Sequence, residues 1–182
     1  MRRDISIGTL LVFALLGVHT IGSARPPSPA SSAIVPYGEF SNEVVYDSAD
    51  PHVEGYSLVL FRQGPRFFGT FYATGGLAGD PPNGCIEDVA FDPASRRLSF
   101  VARVAPTFTT PPRPGERLAF SGRLALPSRI VGQVVFGDGR PAQAVTLRPR
   151  RNGYAHGEAP VSYDDWIASQ ERLFLHCESA HP

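Results

Sequence analysis

Apolar and polar residues alternate with a period of two through most of this chain, which is the mark of half-buried strands rather than helices. The alternation is cleanest in two segments. Leu98, Phe100, Ala102 and Val104 share one face against Arg97, Ser99 and Arg103, and Leu118, Phe120, Gly122 and Leu124 share one against Arg117, Ser121 and Arg123. Turn residues divide the pattern into eight expected strands: Asn42–Asp47, Gly55–Gln63, Arg66–Thr74, Cys85–Phe91, Arg96–Val104, Glu116–Ala125, Arg129–Phe136 and Ala142–Pro149. Ile34–Phe40 adds an expected short edge segment ahead of them. Hairpin after hairpin implies an antiparallel up-and-down sheet, and eight strands suffice to close one into a barrel.

Two further features favour closure. An apolar-x-Gly-x-apolar figure recurs around Gly69, Gly122 and Gly132. A glycine inside a strand weakens it unless the sheet bends sharply or another backbone comes close. These glycines also leave the expectation of unfilled volume on the inner face. The links at Gly64-Pro65, Asp92–Ser95 and Leu126–Ser128 are tight, whereas Ser48–Glu54, Gly75–Gly84, Ala105–Gly115 and Gly137–Pro141 are longer. In a meander the long links then crowd one end, where a site is expected.

After Pro149 an irregular passage leads to an expected helix over residues 163–176, with Ser162 as its N-cap and Asp165 at the capping-box position. Tyr163, Trp166, Ile167, Gln170, Leu173, Phe174 and Cys177 fall within an arc of about 120°, one docking face. The fold class expected is therefore all-β: an antiparallel up-and-down eight-stranded barrel with one C-terminal α-helix packed on its wall. Outward-facing Val59, Phe61, Val131 and Val135 are the expected landing patch for that helix.

The first residues read differently. Arg2-Arg3, the apolar run Ile5–Ile21 and the small residues Gly22-Ser23-Ala24 have the form of a signal peptide, residues 1–24, cleaved after Ala24. Residues 25–40 are a Pro/Ser-rich linker with the possible edge segment, and residues 41–182 form a single barrel domain with its helix. A periplasmic or secreted bacterial protein, with no membrane attachment after cleavage, is expected. Its only two cysteines, Cys85 and Cys177, then favour a disulfide. Such a bond would close a loop of about 92 residues, worth up to about 4–5 kcal/mol on the chain-entropy account.

The 17 basic residues are all arginines, against 17 acidic ones. A net charge near zero gives no field to gather nucleic acid. Catalytic chemistry finds no purchase. Adjacent Glu87 and Asp88 point to opposite faces of a strand, and no serine sits in a nucleophile elbow. His176, Cys177 and His181 match no standard metal spacing, and no cofactor is implied. Arg148, Arg150 and Arg151 form a small basic cluster able to meet an anion or an acidic partner.

Inside a closed barrel Leu58, Leu60, Phe67, Phe71, Phe100, Phe120 and Phe136 would converge, with Leu124 beside them. They either line a pocket for a small apolar or amphipathic ligand or fill the barrel themselves, leaving its loops to grip a protein partner. The strand phrases G-Y-S-L-V-L-F, G-T-F-Y, L-S-F and F-S-G-R-L resemble uncharacterised exported bacterial β-barrel domains. With the meander and the final helix, they resemble the lipocalin-type calycin barrel across Asn42 to Cys177. The Gly-x-Trp signature of lipocalins is absent, the only tryptophan being Trp166. The resemblance implies a fold and a compartment.

Overall fold

A computed structural model describes residues 33–46, 52–77, 81–106, 114–125, 128–150, 160 and 162–172. Its strands are β1 (Ile34–Ser41), β2 (Val44–Val45), β3 (His52–Gln63), β4 (Arg66–Leu77), β5 (Asn83–Asp92), β6 (Arg97–Val104), β7 (Glu116–Ala125), β8 (Arg129–Phe136) and β9 (Gln143–Pro149). Helix α1 spans Tyr163–Arg172. From β3 to β9 each strand pairs antiparallel with the next, and β1 pairs with both β3 and β9. The result is a closed eight-stranded antiparallel barrel, with β2 as a stub on the edge of β3.

One strand differs from the expectation. The place of the first barrel strand belongs to Ile34–Ser41, whereas the expected strand Asn42–Asp47 contributes only the two pairs of β2. The reason lies in how the two segments bury their side chains. Phe40 enters the barrel core, but Val44, Val45 and Tyr46 stay at least half exposed.

Alternation puts Tyr56, Leu58 and Leu60 of β3, Phe67 and Phe71 of β4, and Leu98, Phe100 and Ala102 of β6 inside. Leu118, Phe120, Ile130, Val134, Val145 and Leu147 complete the inner layer from β7 to β9. The interior is not thinned by its glycines. A Cβ on Gly122 would lie 2.6 Å from the Phe120 ring, and one on Gly132 would lie 2.7 Å from it. The space those side chains would have taken is already filled by the phenylalanine. All three mid-strand glycines also sit where a neighbouring backbone comes close: a Cβ would meet the Val59 carbonyl oxygen at Gly69, that of Val131 at Gly122 and that of Ser121 at Gly132.

Helix α1 begins as its sequence requires. Ser162 Oγ accepts from the Asp165 N–H at 3.1 Å and donates to the Asp165 carboxylate at 2.8 Å, a reciprocal cap. Tyr163, Trp166 and Ile167 then dock on Phe61, Phe68 and Cys85 on the outside of the barrel, with Ile34 at the margin. Of the expected landing patch, Phe61 receives the helix, whereas Val131 and Val135, on β8, do not and are about 40 % exposed. The expected continuation of the helix to residue 176 lies outside the described residues, as do the segment 1–32 and Cys177.

Candidate functional site

The feature that shapes the site begins with V-P-Y-G-E-F. Proline cannot donate to a ladder, and a glycine two residues later invites a bulge. The β1–β3 register does slip there: Pro36 opposes Phe61 and Gly38 opposes Leu60, so Tyr37 is the extra residue. A bulge re-aims a side chain. The Tyr37 ring meets Phe67 edge-on at 5.1 Å and Phe91 at 6.4 Å, while Phe67 and Phe91 lie 4.9 Å apart.

These rings sit at the end of the barrel where β5 turns into β6 and β7 into β8. There β1 overhangs β9, with Phe40 and Ser41 opposite Pro149 and Arg148. In the angle between the overhang and the two turns is an open cavity of about 610 Å³. Apolar lining comes from Phe40, Phe91, Pro93, Leu124 and Pro149, and polar lining from Tyr37, Glu39, Arg96, Ser128 and Arg150. One wall is therefore aromatic and aliphatic, and the rim carries charge. Such a mixture suits a molecule with an apolar body and a polar end.

The polar groups are held by their own neighbours. Glu39 is nine-tenths buried, and its backbone carbonyl accepts the Arg150 N–H at 2.9 Å. The Arg150 guanidinium reaches Glu43 at 2.5 Å, and Glu43 also accepts from Thr74 at 2.7 Å. Arg96 stands in the β5–β6 turn at φ 58°. Its backbone carbonyl accepts the Leu124 N–H at 3.0 Å, which ties the two turns together. Asp92 opens the same turn, and its carboxyl is held below the ordinary range. The Ser95 hydroxyl is the main cause, with the Ala94 N–H and nearby Arg97 adding to it.

The sequence-nominated ligand residues are distributed differently from the cavity. Leu58, Leu60, Phe67, Phe71, Phe100 and Phe120 are all brought together in the barrel core, and Phe136 packs half-buried against it. Their rings pack in series with Tyr56: Tyr56 stacks on Phe71 at 5.5 Å, Phe71 meets Phe100 edge-on at 5.4 Å, and Phe100 stacks on Phe120 at 4.9 Å. Of the set only Phe67 approaches the cavity, as the backing of Tyr37 and Phe91. Phe136 lies at the far end beneath the Arg140 guanidinium, 4.2 Å from its ring centre. That far end also holds Tyr56, which donates to Gln143 at 2.8 Å and whose hydroxyl pKa is raised by burial.

The cavity thus opens at the tight-turn end, whereas the sequence pointed to the loop-rich one. Much of the loop-rich end, residues 47–51, 78–80 and 107–113, lies outside the described residues. So do Arg151 of the basic cluster and the tail histidines His176 and His181. Tyr37, Phe40 and Arg96 escaped the sequence reading. A Pro-x-Gly inside an apolar alternation was the signal that could have disclosed the first two.

Fold and cavity together define a closed eight-stranded barrel with an amphipathic pocket at one mouth. No protein-family model, no curated protein and no solved structure matches this chain.

Proposed function

We propose that this chain is an exported, calycin-type barrel that binds a small amphipathic molecule in the cavity at its tight-turn mouth. The observation carrying the reading is the juxtaposition of Tyr37, Phe40, Phe91 and Leu124 with Arg96 and Arg150 around one opening of about 610 Å³. A volume of that size matches small-molecule sites. The aromatic side chains packed in the core behind it favour the mouth over the barrel axis for the proposed ligand. Export rests on residues 1–24, which have signal-peptide form, and places the mature chain in the periplasm or outside the cell. In that compartment Cys85, buried beneath Trp166, pairs with Cys177, which follows the last described residue of α1 by five positions.

The test is native mass spectrometry of the protein purified from its own source, followed by displacement of a neutral fluorescent probe. A co-purifying small molecule, released by Phe91→Ala or Leu124→Ala, is the expected result. Absence of both ligand and probe binding would sink the reading. A protein-interaction module is the second reading, and one observation favours it. Val44, Val45 and Tyr46 are exposed on a stub strand whose outer edge has no partner among the described residues. Strand addition at that edge is abolished by Val45→Pro, which removes a donor and leaves the cavity untouched.

A further inference from the structure

We infer that the polar end of the ligand is an anion, a carboxylate or a group of similar charge, and that Arg96 contacts it directly. The inference rests on the proposed amphipathic pocket and adds the chemistry of the head group. It starts from how the arginines are placed. Although the chain's basic and acidic totals balance, the tight-turn end does not. Arg97 and Arg123 face each other across β6 and β7. Arg129 and Arg148 adjoin the paired, inward-facing Ile130 and Leu147, so they point outward from β8 and β9. All four are exposed, and Arg96 stands above them in the turn.

Like charges placed opposite each other on a sheet destabilise it. Among the described residues none of these five arginines makes an ion pair, although Arg140 and Arg150 do. The only carboxylate on the two tight turns is Asp92, which is engaged by Ser95 and Ala94 and attracts Arg97. A rim with this excess of guanidinium groups over carboxylates beside an apolar cavity concentrates anions there. Within the rim the groups have different reach. Arg150 already answers Glu43, and Arg97, Arg123, Arg129 and Arg148 stand on the outer wall. Arg96 alone combines a place in the cavity lining with an uncommitted charge among the described residues. Its backbone tie to Leu124 fixes the turn on which Arg96 stands, and Arg96 lines the same cavity as Tyr37 and Phe40.

Dodecanoate, dodecanol and dodecyltrimethylammonium share one chain and differ in head group, so their titration into the full mature protein separates the possibilities. The expected result is binding of dodecanoate about tenfold or more tighter than of the other two, as one charge-assisted hydrogen bond would give. Arg96→Asn suits the left-handed turn conformation and should erase the preference for dodecanoate over dodecanol. Arg129→Gln should keep most of it. Equal binding of dodecanoate and dodecanol would overturn the anion and leave the pocket standing. Loss of the preference in Arg129→Gln to the same extent as in Arg96→Asn would overturn the direct contact. No binding of any of the three would overturn the pocket and the inference with it. Unchanged Trp166 emission in both variants shows that the fold is intact.

Discussion

Phe120 covers two glycines from neighbouring strands, and its ring also stacks on Phe100 at 4.9 Å. One aromatic side chain therefore fills the volume of three positions, so truncating it leaves a hole that no neighbour can close. Phe120→Ala should lower stability by about 3–5 kcal/mol, the usual range for a buried phenylalanine. Urea unfolding followed by circular dichroism measures it, and a loss under about 1 kcal/mol would mean that the glycine pair is not covered in this way. A second residue reports on charge. Burial raises the Tyr56 hydroxyl above its ordinary pKa, so its contribution is present below about pH 10 and is lost as pH rises through the folded value. Stability should fall on the alkaline side, and Tyr56→Phe should flatten that limb relative to the parent. A limb of unchanged steepness in the variant would count against the assignment.

Among the elements, α1 gives the clearest reading. Its cap was legible from Ser162 and Asp165, because a capping box is a local pattern whose partners sit three residues apart. Ser162→Ala should cost about 1 kcal/mol. The single tryptophan supplies the readout, since Trp166 is only 4 % exposed against Phe68 and Cys85. Its emission should shift to the red at lower denaturant in the variant than in the parent. Strand β1 was harder to read. Its Pro36 and Gly38 look like linker chemistry when taken alone, and only pairing to β3 and β9 shows that they make a bulge within a barrel strand. Asn42–Asp47 looked like a strand for the converse reason. Val44, Val45 and Tyr46 are strong strand formers, but among the described residues nothing buries them and they stay at least half exposed. Propensity carries the pattern, whereas tertiary contact decides which strand closes the sheet.

At the scale of the whole molecule, closure was legible from eight alternating segments and short turns, but the position of the mouth was not. That position depends on the stagger of β1 against β9, a long-range offset that no local pattern encodes. The same stagger makes the barrel uneven. Strands β3 and β4 pair over twelve residues and β6 with β7 over eight, but β4 and β5 pair only at Thr70–Tyr72 against Asn83–Cys85. Beyond Cys85 the ladder does not continue toward the tight-turn end. Asp88 at φ 49° and the register slip between Glu87 and Ala90 turn β5 toward β6 instead. The gap is bridged by side chains, Phe67 against Phe91 at 4.9 Å, and these are the rings behind the cavity. A sheet opens most readily where backbone pairing is thinnest. Native-state hydrogen exchange should therefore find the slowest amides in β6, β7 and β8, and faster exchange where Arg66–Gly69 borders β5. A ligand seated on Phe91 and Tyr37 would brace that seam from inside. Saturating dodecanoate should then slow exchange at Arg66–Gly69 more than in β7, and uniform slowing across the barrel would show that the seam and the cavity are not coupled.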